Sequence, residues 1–228
     1  MTVQLYLCEV SPEDAPRLPA LLARLDAAER DRAARFAVEP ARLAYAAAHA
    51  LLRHALDRGA GRAGAWAFAV NGYGKPSLDP PLDDIRFNLS HTDRLVAVAV
   101  ARGLDVGVDV EAALRAPDEA TFEGMVLAPE EAAELAGCAD RPARLMRLWV
   151  AKEAVAKAIG MGLSLPPREI VLEGAEPRLA ALPEAHGPAS EWWLHTESLP
   201  GHWLALAARS APRPIAREQL TVARLLES

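Results

Sequence analysis

The sequence predicts an α+β fold built from two similar halves that pack side by side. The main observation is that a helical section followed by a β-rich section occurs twice along the 228 residues. The apolar runs LVAVAVA at 95–101 and WLALAA at 203–208 occupy similar places in the two sections. We therefore expect an N-terminal half at residues 1–111 and a C-terminal half at residues 112–228.

The N-terminal half is expected to begin with one strand and two helices. Residues 3–10 alternate apolar and polar side chains, as a strand does. Residues 16–36 place leucines on one helical face, and Pro40 at a first helical position starts a second helix at 41–58. A short strand is expected at 65–70, followed by the glycine-rich loop NGYGKP, in which glycines would allow a close backbone approach to a ligand or simply form a turn.

Three consecutive segments rich in valine and isoleucine follow, at 85–91, 94–101 and 104–111. Their short turns predict an antiparallel meander. Ser90 and His91 end its first strand, and Asp109 and Glu111 end its third. Because residues i and i+2 of a strand point to the same face, the two carboxylates are expected to project together.

The C-terminal half is expected to contain three helices followed by three strands. The predicted helices span residues 117–124, 129–136 and 141–159. The predicted strands span residues 169–172, 191–195 and 203–208. We expect irregular structure in the proline-rich connection 177–188 and in the tail after residue 212, apart from a turn at 222–226.

Composition and charge limit the classes of function. The chain is 51% hydrophobic and 25% charged, its N-terminus shows no basic leader, and it contains no run of 18 apolar residues, which predicts a cytoplasmic protein that does not enter a membrane. A net charge of −6 argues against nucleic acid as a partner. Cys8 and Cys138 have no cysteine or histidine at metal-binding spacing, so we expect neither a zinc site nor a disulfide framework.

The segment WVAKEAVAKAIG carries charge where a core helix would not. Trp149, Glu153 and Lys157 lie at i, i+4 and i+8 and therefore share one face. Only three of the 25 basic residues are lysines, and two of them lie in this helix. A lysine ammonium is a compact charge suited to phosphate. The alternative is an ordinary surface ion pair, worth about 0.3–0.5 kcal/mol.

Asp109, Glu111 and Glu153 together offer three hard oxygen ligands, which suit Mg²⁺ better than zinc. The sequence has neither a GxxxxGK[ST] phosphate loop nor a GxGxxG dinucleotide fingerprint. Any phosphate would therefore be held by side chains and metal. The alternative is that Asp109 and Glu111 are a solvated strand end.

Several motifs occur together in one order. They are the arginine stretch that ends at Arg35-Phe36, GKP at 74–76, FNLSH at 87–91, GVDVE at 107–111 and WVAKEAVAKAIGMGLSL at 149–165. In these motifs and their order the chain resembles the 4′-phosphopantetheinyl transferases, specifically the larger single-chain type that activates surfactin synthetase and similar assembly lines. GVDVE and WxxKEAxxKxxG are the specific parts of the resemblance.

The resemblance implies two pseudo-symmetric halves, each a small antiparallel sheet packed with a long helix, with coenzyme A in the cleft between them. It implies a Mg²⁺ site whose ligands are Asp109, Glu111 and Glu153. It implies contacts to coenzyme A from Lys157, Lys75, Ser90, His91, Arg32 and Arg42. Glu29 stands where a further basic contact can occur.

The implied reaction transfers the 4′-phosphopantetheine arm of coenzyme A to a serine of an apo carrier protein and releases 3′,5′-ADP. Its catalytic residues would be Asp109, Glu153 and Lys157. We hypothesise that Glu153 accepts the serine proton. The neighbouring Lys152 would either shield that site or have no role. The resemblance also implies a monomer, without identifying the carrier protein served.

Carrier proteins are typically acidic, as this chain is, so general electrostatic attraction would not bring the two together. We therefore expect docking through an apolar patch around Met125, Val126 and Leu127. Two other functions remain open. One is a Mg²⁺-dependent phosphodiesterase or pyrophosphatase acting on a free nucleotide, and the other is a non-catalytic module that binds coenzyme A or a carrier protein.

Overall fold

The structure is a computed structural model that describes residues 2–82, 84–113 and 119–228. The strands are β1 (Val3–Glu9), β2 (Phe68–Val70), β3 (Pro76–Leu78), β4 (Ile85–His91), β5 (Leu95–Arg102), β6 (Val106–Ala112), β7 (Val171–Glu173), β8 (Arg178–Ala181), β9 (Trp193–Leu199), β10 (His202–Ala208) and β11 (Ile215–Thr221). The α-helices are α1 (Leu18–Ala23), α2 (Ala27–Ala33), α3 (Glu39–Ala60), α4 (Glu119–Val126), α5 (Pro129–Ala136), α6 (Arg141–Ile159) and α7 (Val222–Glu227). No helix in these described ranges is long and apolar enough to cross a membrane.

The strands form two main sheets, which confirms the α+β class. The first has the order β11-β1-β5-β4, in which β1 runs parallel to β11 and antiparallel to β5. The second is antiparallel, with the order β6-β10-β9. Two short hairpins, β2-β3 and β7-β8, lie outside these sheets.

The predicted meander is wrong in its third strand. β4 pairs with β5 as expected, but β6 pairs with β10 in the second sheet. Side chains of β4 bridge to the backbone of β6 instead: Val108 N donates to Asn88 Oδ1 at 2.9 Å, and Val110 N donates to Ser90 Oγ at 3.3 Å. These bonds satisfy buried amide groups on the edge strand, so the chain can change sheets at this point.

The sequence predicted an irregular tail after Pro212, but the structure shows a regular strand there. The tail contains β11, which pairs with β1 from Val3 opposite Ile215 to Glu9 opposite Thr221. β11 is an edge strand without fully buried residues, and this is why its alternation is weak. The connection 177–188 likewise contains β8. The two sheets therefore do not follow the expected division at residue 111, because β6 joins the C-terminal strands and β11 joins the N-terminal ones.

Each long helix covers one sheet. Leu51 and Leu52 of α3 belong to a buried cluster with Val98 of β5, and Val150 of α6 belongs to a second cluster with Ala205 of β10. A third cluster joins side chains of both sheets, namely Leu5, Leu7, Leu95, Val106, Val108, Val110, Leu204 and Leu206. The expected pairing of a small sheet with a long helix therefore occurs twice.

The predicted helix at 16–36 is divided into α1 and α2. A capping box starts α2: Glu29 N donates to Asp26 Oδ1 at 2.8 Å, and Asp26 N donates to Glu29 Oε2 at 2.9 Å. Such reciprocal bonds satisfy amide groups that the first helical turn leaves unpaired. The spacing of Asp26 and Glu29 is the sequence signal that the leucine pattern obscured.

Gly107 of the GVDVE motif allows α6 to pack directly on β6. A Cβ at this position would lie 2.0 Å from the Ala154 oxygen and 2.5 Å from the Ala158 nitrogen. Any side chain would therefore force the helix away from the strand. The close approach fixes the distance between β6, which carries Asp109, and α6, which carries Glu153.

Glu29 joins α2 to α3 through a buried charge cluster. Its Oε1 lies 2.7 Å from His49 Nδ1, and its Oε2 lies 2.8 Å from an Arg53 guanidinium nitrogen. Burial alone raises the pKa of Glu29, but hydrogen bonds from His49 and Arg53 outweigh it and lower the pKa from 4.5 to about 2. The ionised form of Glu29 is therefore favoured in the folded state.

We expect Glu29→Gln to lower the free energy of unfolding at pH 6 by roughly 2 to 3 kcal/mol. The contribution of Glu29 is present above its unfolded pKa and is lost as the pH falls from 4.5 through the folded value of about 2. Urea unfolding at intervals from about pH 3 to about pH 7 would measure it. The exposed Glu13→Gln is the control, and an unchanged pH slope in Glu29→Gln would contradict the assignment.

Candidate active site

Polar side chains from β4, β6 and α6 meet where these three elements come together. Asp109 and Glu111 lie on the same face of β6 as Gly107, the residue that contacts α6. Glu153 and Lys157 are one turn apart on α6 and share a face. The structure therefore brings residues of the GVDVE and WxxKEAxxKxxG motifs together in one place.

Lys157, Asp109 and Ser90 form a compact hydrogen-bonded group. The Lys157 ammonium donates to Asp109 Oδ1 at 2.6 Å and to Ser90 Oγ at 3.0 Å. The Ser90 hydroxyl donates to Asp109 Oδ1 at 2.8 Å. Asp109 and Ser90 are buried, whereas the Lys157 side chain is 23% exposed. The ammonium is therefore held at the site by a side chain that is partly exposed.

Glu153 lies in an environment that disfavours its negative charge. Burial is the main cause, the carboxylates of Asp109 and Glu111 add to it, and Lys157 opposes it. Together they raise the pKa of Glu153 from 4.5 to about 7. Near neutral pH this carboxyl group is therefore poised to exchange a proton.

The oxygen atoms of this site fit a divalent cation. Asp109 Oδ2 is buried and has no hydrogen-bond partner among the described residues. The mutual repulsion of Asp109, Glu111 and Glu153 would be relieved by a bound positive charge. Hard carboxylate oxygens are the ligands that Mg²⁺ prefers. Across residues 2–82, 84–113 and 119–228, however, no three metal-binding side chains already converge as a metal site.

The Glu111 carboxylate is oriented by Trp149, which the sequence placed on the same helical face as Glu153. Trp149 Nε1 donates to Glu111 Oε1 at 3.1 Å. The indole packs edge-on against Phe122, with ring centroids 5.3 Å apart. The aromatic residue at the start of the WxxKEA motif thus connects α6 to the second carboxylate of β6.

His91 lies near both the site and helix α3. Its pKa is lowered from 6.5, first by burial and then by the nearby His49 and Lys157. The ring is therefore mainly uncharged at neutral pH. His49 packs against Tyr45 with ring centroids 4.3 Å apart.

The two arginines expected to contact a nucleotide lie on α2 and α3. Arg32 is exposed, and its guanidinium carbon is 5.9 Å from the ring centroid of Tyr45. Arg42 lies in the first turn of α3, and its Nε is buried with no hydrogen-bond partner within the described residues. Through Tyr45 and His49, Arg32 is joined to the side of the site that carries His91.

Lys75 is bonded elsewhere, at the C-terminal end of α6. Its ammonium donates to the Ala158 oxygen at 2.9 Å and to the Val106 oxygen at 3.5 Å. Burial lowers the pKa of Lys75 below 10.5. The structure therefore places the Lys75 ammonium on backbone carbonyl groups and not in the group formed by Lys157, Asp109 and Ser90.

Lys152 has a structural role away from the site, which differs from both alternatives that the sequence left open. Its side chain is fully buried, and its ammonium lies 2.5 Å from Glu131 Oε2 and 2.8 Å from the Val126 oxygen. Glu131 also accepts hydrogen bonds from the backbone nitrogens of Ala128 and Leu172, both at 2.8 Å. The scarcity of lysine in the sequence marked Lys152, but no local signal indicated Glu131 as its partner.

The expected apolar docking patch is wrong for two of its three residues. Met125 is 51% exposed, but Val126 is 0% and Leu127 is 3% exposed. Both buried residues belong to the core of the second half, and the Val126 carbonyl accepts a hydrogen bond from Lys152. The expected helix at 117–124 begins partly outside the described residues, and α4 starts at Glu119.

Comparison with known proteins places these motifs in one family. A family model described as the 4′-phosphopantetheinyl transferase superfamily matches residues 105–207. The 4′-phosphopantetheinyl transferase HetI of a Nostoc species is 32% identical over 174 residues, which cover 73% of each chain. A Bacillus subtilis 4′-phosphopantetheinyl transferase is 35% identical over 104 residues, 44% of each chain.

Among solved structures, the holo-[acyl-carrier-protein] synthase of Neisseria meningitidis matches with a TM-score of 0.39 and 24% identity. It covers 47% of this chain and 98% of its own length. The match to HetI spans nearly three quarters of both proteins and includes the segments that build the site described above. The chain belongs to the 4′-phosphopantetheinyl transferase superfamily.

Proposed function

We propose that this protein transfers the 4′-phosphopantetheine arm of coenzyme A to a serine of an apo carrier protein, with Mg²⁺ as its cofactor. The observation that carries the proposal is the group formed by Asp109, Glu153, Lys157 and Ser90 in a chain of this superfamily. It combines a phosphate-binding cation, oxygen ligands for a metal and a proton acceptor.

The ammonium of the partly exposed Lys157 is the proposed partner of the coenzyme A pyrophosphate. It is already held by Asp109 and Ser90, so little reorganisation is required when the charged substrate binds. Ser90 and His91 lie beside it on β4, and Arg32 and Arg42 are the proposed contacts farther along α2 and α3. The Lys75 ammonium is not included, because it is engaged at the end of α6.

Asp109, Glu111 and Glu153 are the residues that would hold Mg²⁺. When bound, this ion would neutralise negative charge that develops on the pyrophosphate. The unpartnered Asp109 Oδ2 and the unfavourable ionisation of Glu153 support this assignment.

In the proposed reaction the serine oxygen of the carrier forms a bond to the β-phosphorus of coenzyme A. The bond from that phosphorus to the bridging oxygen breaks, and 3′,5′-ADP leaves with the electron pair. Glu153 is the proposed acceptor of the serine proton. Its pKa of about 7 describes the metal-free site, and a bound cation would lower this value and favour the ionised carboxylate.

Mass spectrometry of the intact carrier protein would test the proposal. An apo acyl carrier protein and an apo peptidyl carrier domain would each be incubated with this protein, coenzyme A and Mg²⁺, with EDTA as the control. We expect at least one carrier to gain the mass of one phosphopantetheine arm, and EDTA to abolish the gain. Cleavage of coenzyme A without a mass gain would instead favour a phosphodiesterase, and binding without any cleavage would favour a non-catalytic module.

A further inference from the structure

The NGYGKP loop contacts the C-terminal end of helix α6, the helix that carries Glu153 and Lys157. Asn71 Nδ2 donates to the Gly160 oxygen at 2.8 Å, and the Lys75 ammonium donates to the Ala158 oxygen at 2.9 Å. The two partners lie 89 and 83 residues away along the chain. We call these two bonds the clasp.

The clasp satisfies carbonyl groups that a helix cannot pair internally. The last four carbonyl groups of an α-helix have no intrahelical partner. At the end of α6 the Ala156 oxygen accepts from the nitrogens of Gly160 and Met161, and the loop donates to the carbonyl groups of Ala158 and Gly160. A lysine cation near this end also complements the helix dipole.

Both polar atoms of the Asn71 side chain form hydrogen bonds, one to α6 and the other within the loop. While its Nδ2 donates to α6, its Oδ1 accepts from the nitrogens of Tyr73 and Lys75, both at 2.9 Å. The backbone closes the same turn, since the Asn71 nitrogen donates to the Lys75 oxygen at 3.0 Å. One side chain therefore determines both the loop conformation and its attachment to the helix.

At the end of α6 there is little space for a side chain at position 160. Gly160 has a φ of +89°, and a Cβ there would lie 3.2 Å from both Asn71 Nδ2 and Lys75 Cδ. A glycine is thus required both for the left-handed turn that ends α6 and for close approach of the loop. Lys157 lies in the last turn of the helix, immediately before the first clasped carbonyl group.

We propose that Asn71 and Lys75 are positioning residues, which hold the last turn of α6 so that Lys157 stays on Asp109 and Ser90. This inference rests on the function proposed above and assigns the Lys75 side chain to the helix, not to a phosphate of coenzyme A. It predicts that weakening the clasp affects turnover more than it affects recognition of the substrate.

Asn71→Asp is the sharpest variant, because aspartate keeps the oxygen acceptor for Tyr73 and Lys75 but cannot donate to Gly160. Lys75→Met removes the other bond and keeps the aliphatic part of the side chain. Ser77→Ala, an exposed position on the neighbouring strand β3, is the matched control. Each variant would be assayed with an apo carrier protein and with either coenzyme A or 3′-dephospho-coenzyme A.

For both clasp variants we expect kcat to fall roughly tenfold, since small misplacements of catalytic groups are costly. The KM for coenzyme A should stay within about twofold of wild type, as should the preference for coenzyme A over the dephospho form. A raised KM together with a lost preference would show direct phosphate contact and overturn the inference. A lower melting temperature with unchanged kcat would also overturn it, because the role would then be structural only.

Hydrogen exchange without substrate makes the inference testable independently of activity. The amides of Gly160 and Met161 bond to Ala156, so we expect their exchange to be at least about tenfold faster in Asn71→Asp than in wild type or Ser77→Ala. Unchanged exchange would refute the clasp. If the wild-type protein transfers nothing to any carrier, the proposed function fails, while faster exchange would still support the anchoring of α6.

Discussion

Glu153→Gln is expected to reduce kcat at least about 1,000-fold while leaving the affinity for coenzyme A within about threefold of wild type. Glutamine has nearly the same shape but cannot accept the serine proton or contribute a negative charge to a metal site. Single-turnover transfer to an apo carrier would measure kcat, and equilibrium binding of coenzyme A would measure affinity. An unchanged kcat would remove Glu153 from the proposed mechanism.

The same substitution should stabilise the protein when no divalent cation is bound. Because the folded pKa of Glu153 is raised from 4.5 to about 7, its stabilising effect is present at low pH and is lost as the pH rises through about 7. Above this range the buried charge destabilises the fold by at most about 3 kcal/mol relative to a neutral side chain. We therefore expect Glu153→Gln to raise the free energy of unfolding at about pH 8 in EDTA.

This combination distinguishes loss of chemistry from loss of folding, because activity and stability change in opposite directions. The exposed Glu134→Gln provides a control that should alter neither quantity. Mg²⁺ should raise the melting temperature of the wild-type protein more than that of Glu153→Gln, since ligand binding to the folded state stabilises it. Equal shifts in both proteins would argue against Glu153 as a metal ligand.

Lys152→Met is expected to lower the free energy of unfolding by about 3 to 5 kcal/mol, because it leaves the buried Glu131 carboxylate without its cation. Glu131 is 1% exposed, and through it Lys152 is connected to the start of α5 and to β7. The ammonium also binds the carbonyl groups of Val126 and Pro167, which would lose their donor. Urea unfolding followed by tryptophan fluorescence would measure the loss.

An exposed ion pair provides the control for this experiment. Arg178 lies 3.6 Å from Glu173, and their side chains are 76% and 56% exposed. Arg178→Met should therefore change stability by less than about 0.5 kcal/mol. The double variant Lys152→Met with Glu131→Gln should recover part of the loss, because it removes the unpaired charge and keeps one side-chain oxygen as a hydrogen-bond acceptor. A loss below about 1 kcal/mol in Lys152→Met alone would contradict the assignment.

Local sequence patterns predicted the parts of the site that lie on regular elements. α6 spans Arg141–Ile159, the range predicted from the sequence. Helical and strand periodicity were sufficient to place Glu153 with Lys157, and Asp109 with Glu111, on common faces. The pairing of the two elements depended on the family resemblance, because periodicity does not indicate which faces meet.

The predictions that failed depend on contacts between segments that are far apart along the chain. β11 was missed because none of its residues is fully buried, so its apolar pattern is weak. β6 was assigned to the wrong sheet because strand pairing is a long-range property. The roles of Lys152 and Lys75 were equally hidden. Each ammonium bonds to backbone carbonyl groups, and such groups carry no residue-specific signal in the sequence.

The sequence by itself determined the family, the two long helices and the charged residues that face one another across β6 and α6. Only the tertiary structure decided that β6 pairs in the second sheet and β11 in the first, and that Asn88 and Ser90 of β4 accept hydrogen bonds from the backbone of β6. It also decided that Asn71 and Lys75 bond to the end of α6. The physical reason is that periodicity records which face of an element is buried. Hydrogen bonds between distant segments depend on where the folded chain brings their donors and acceptors together.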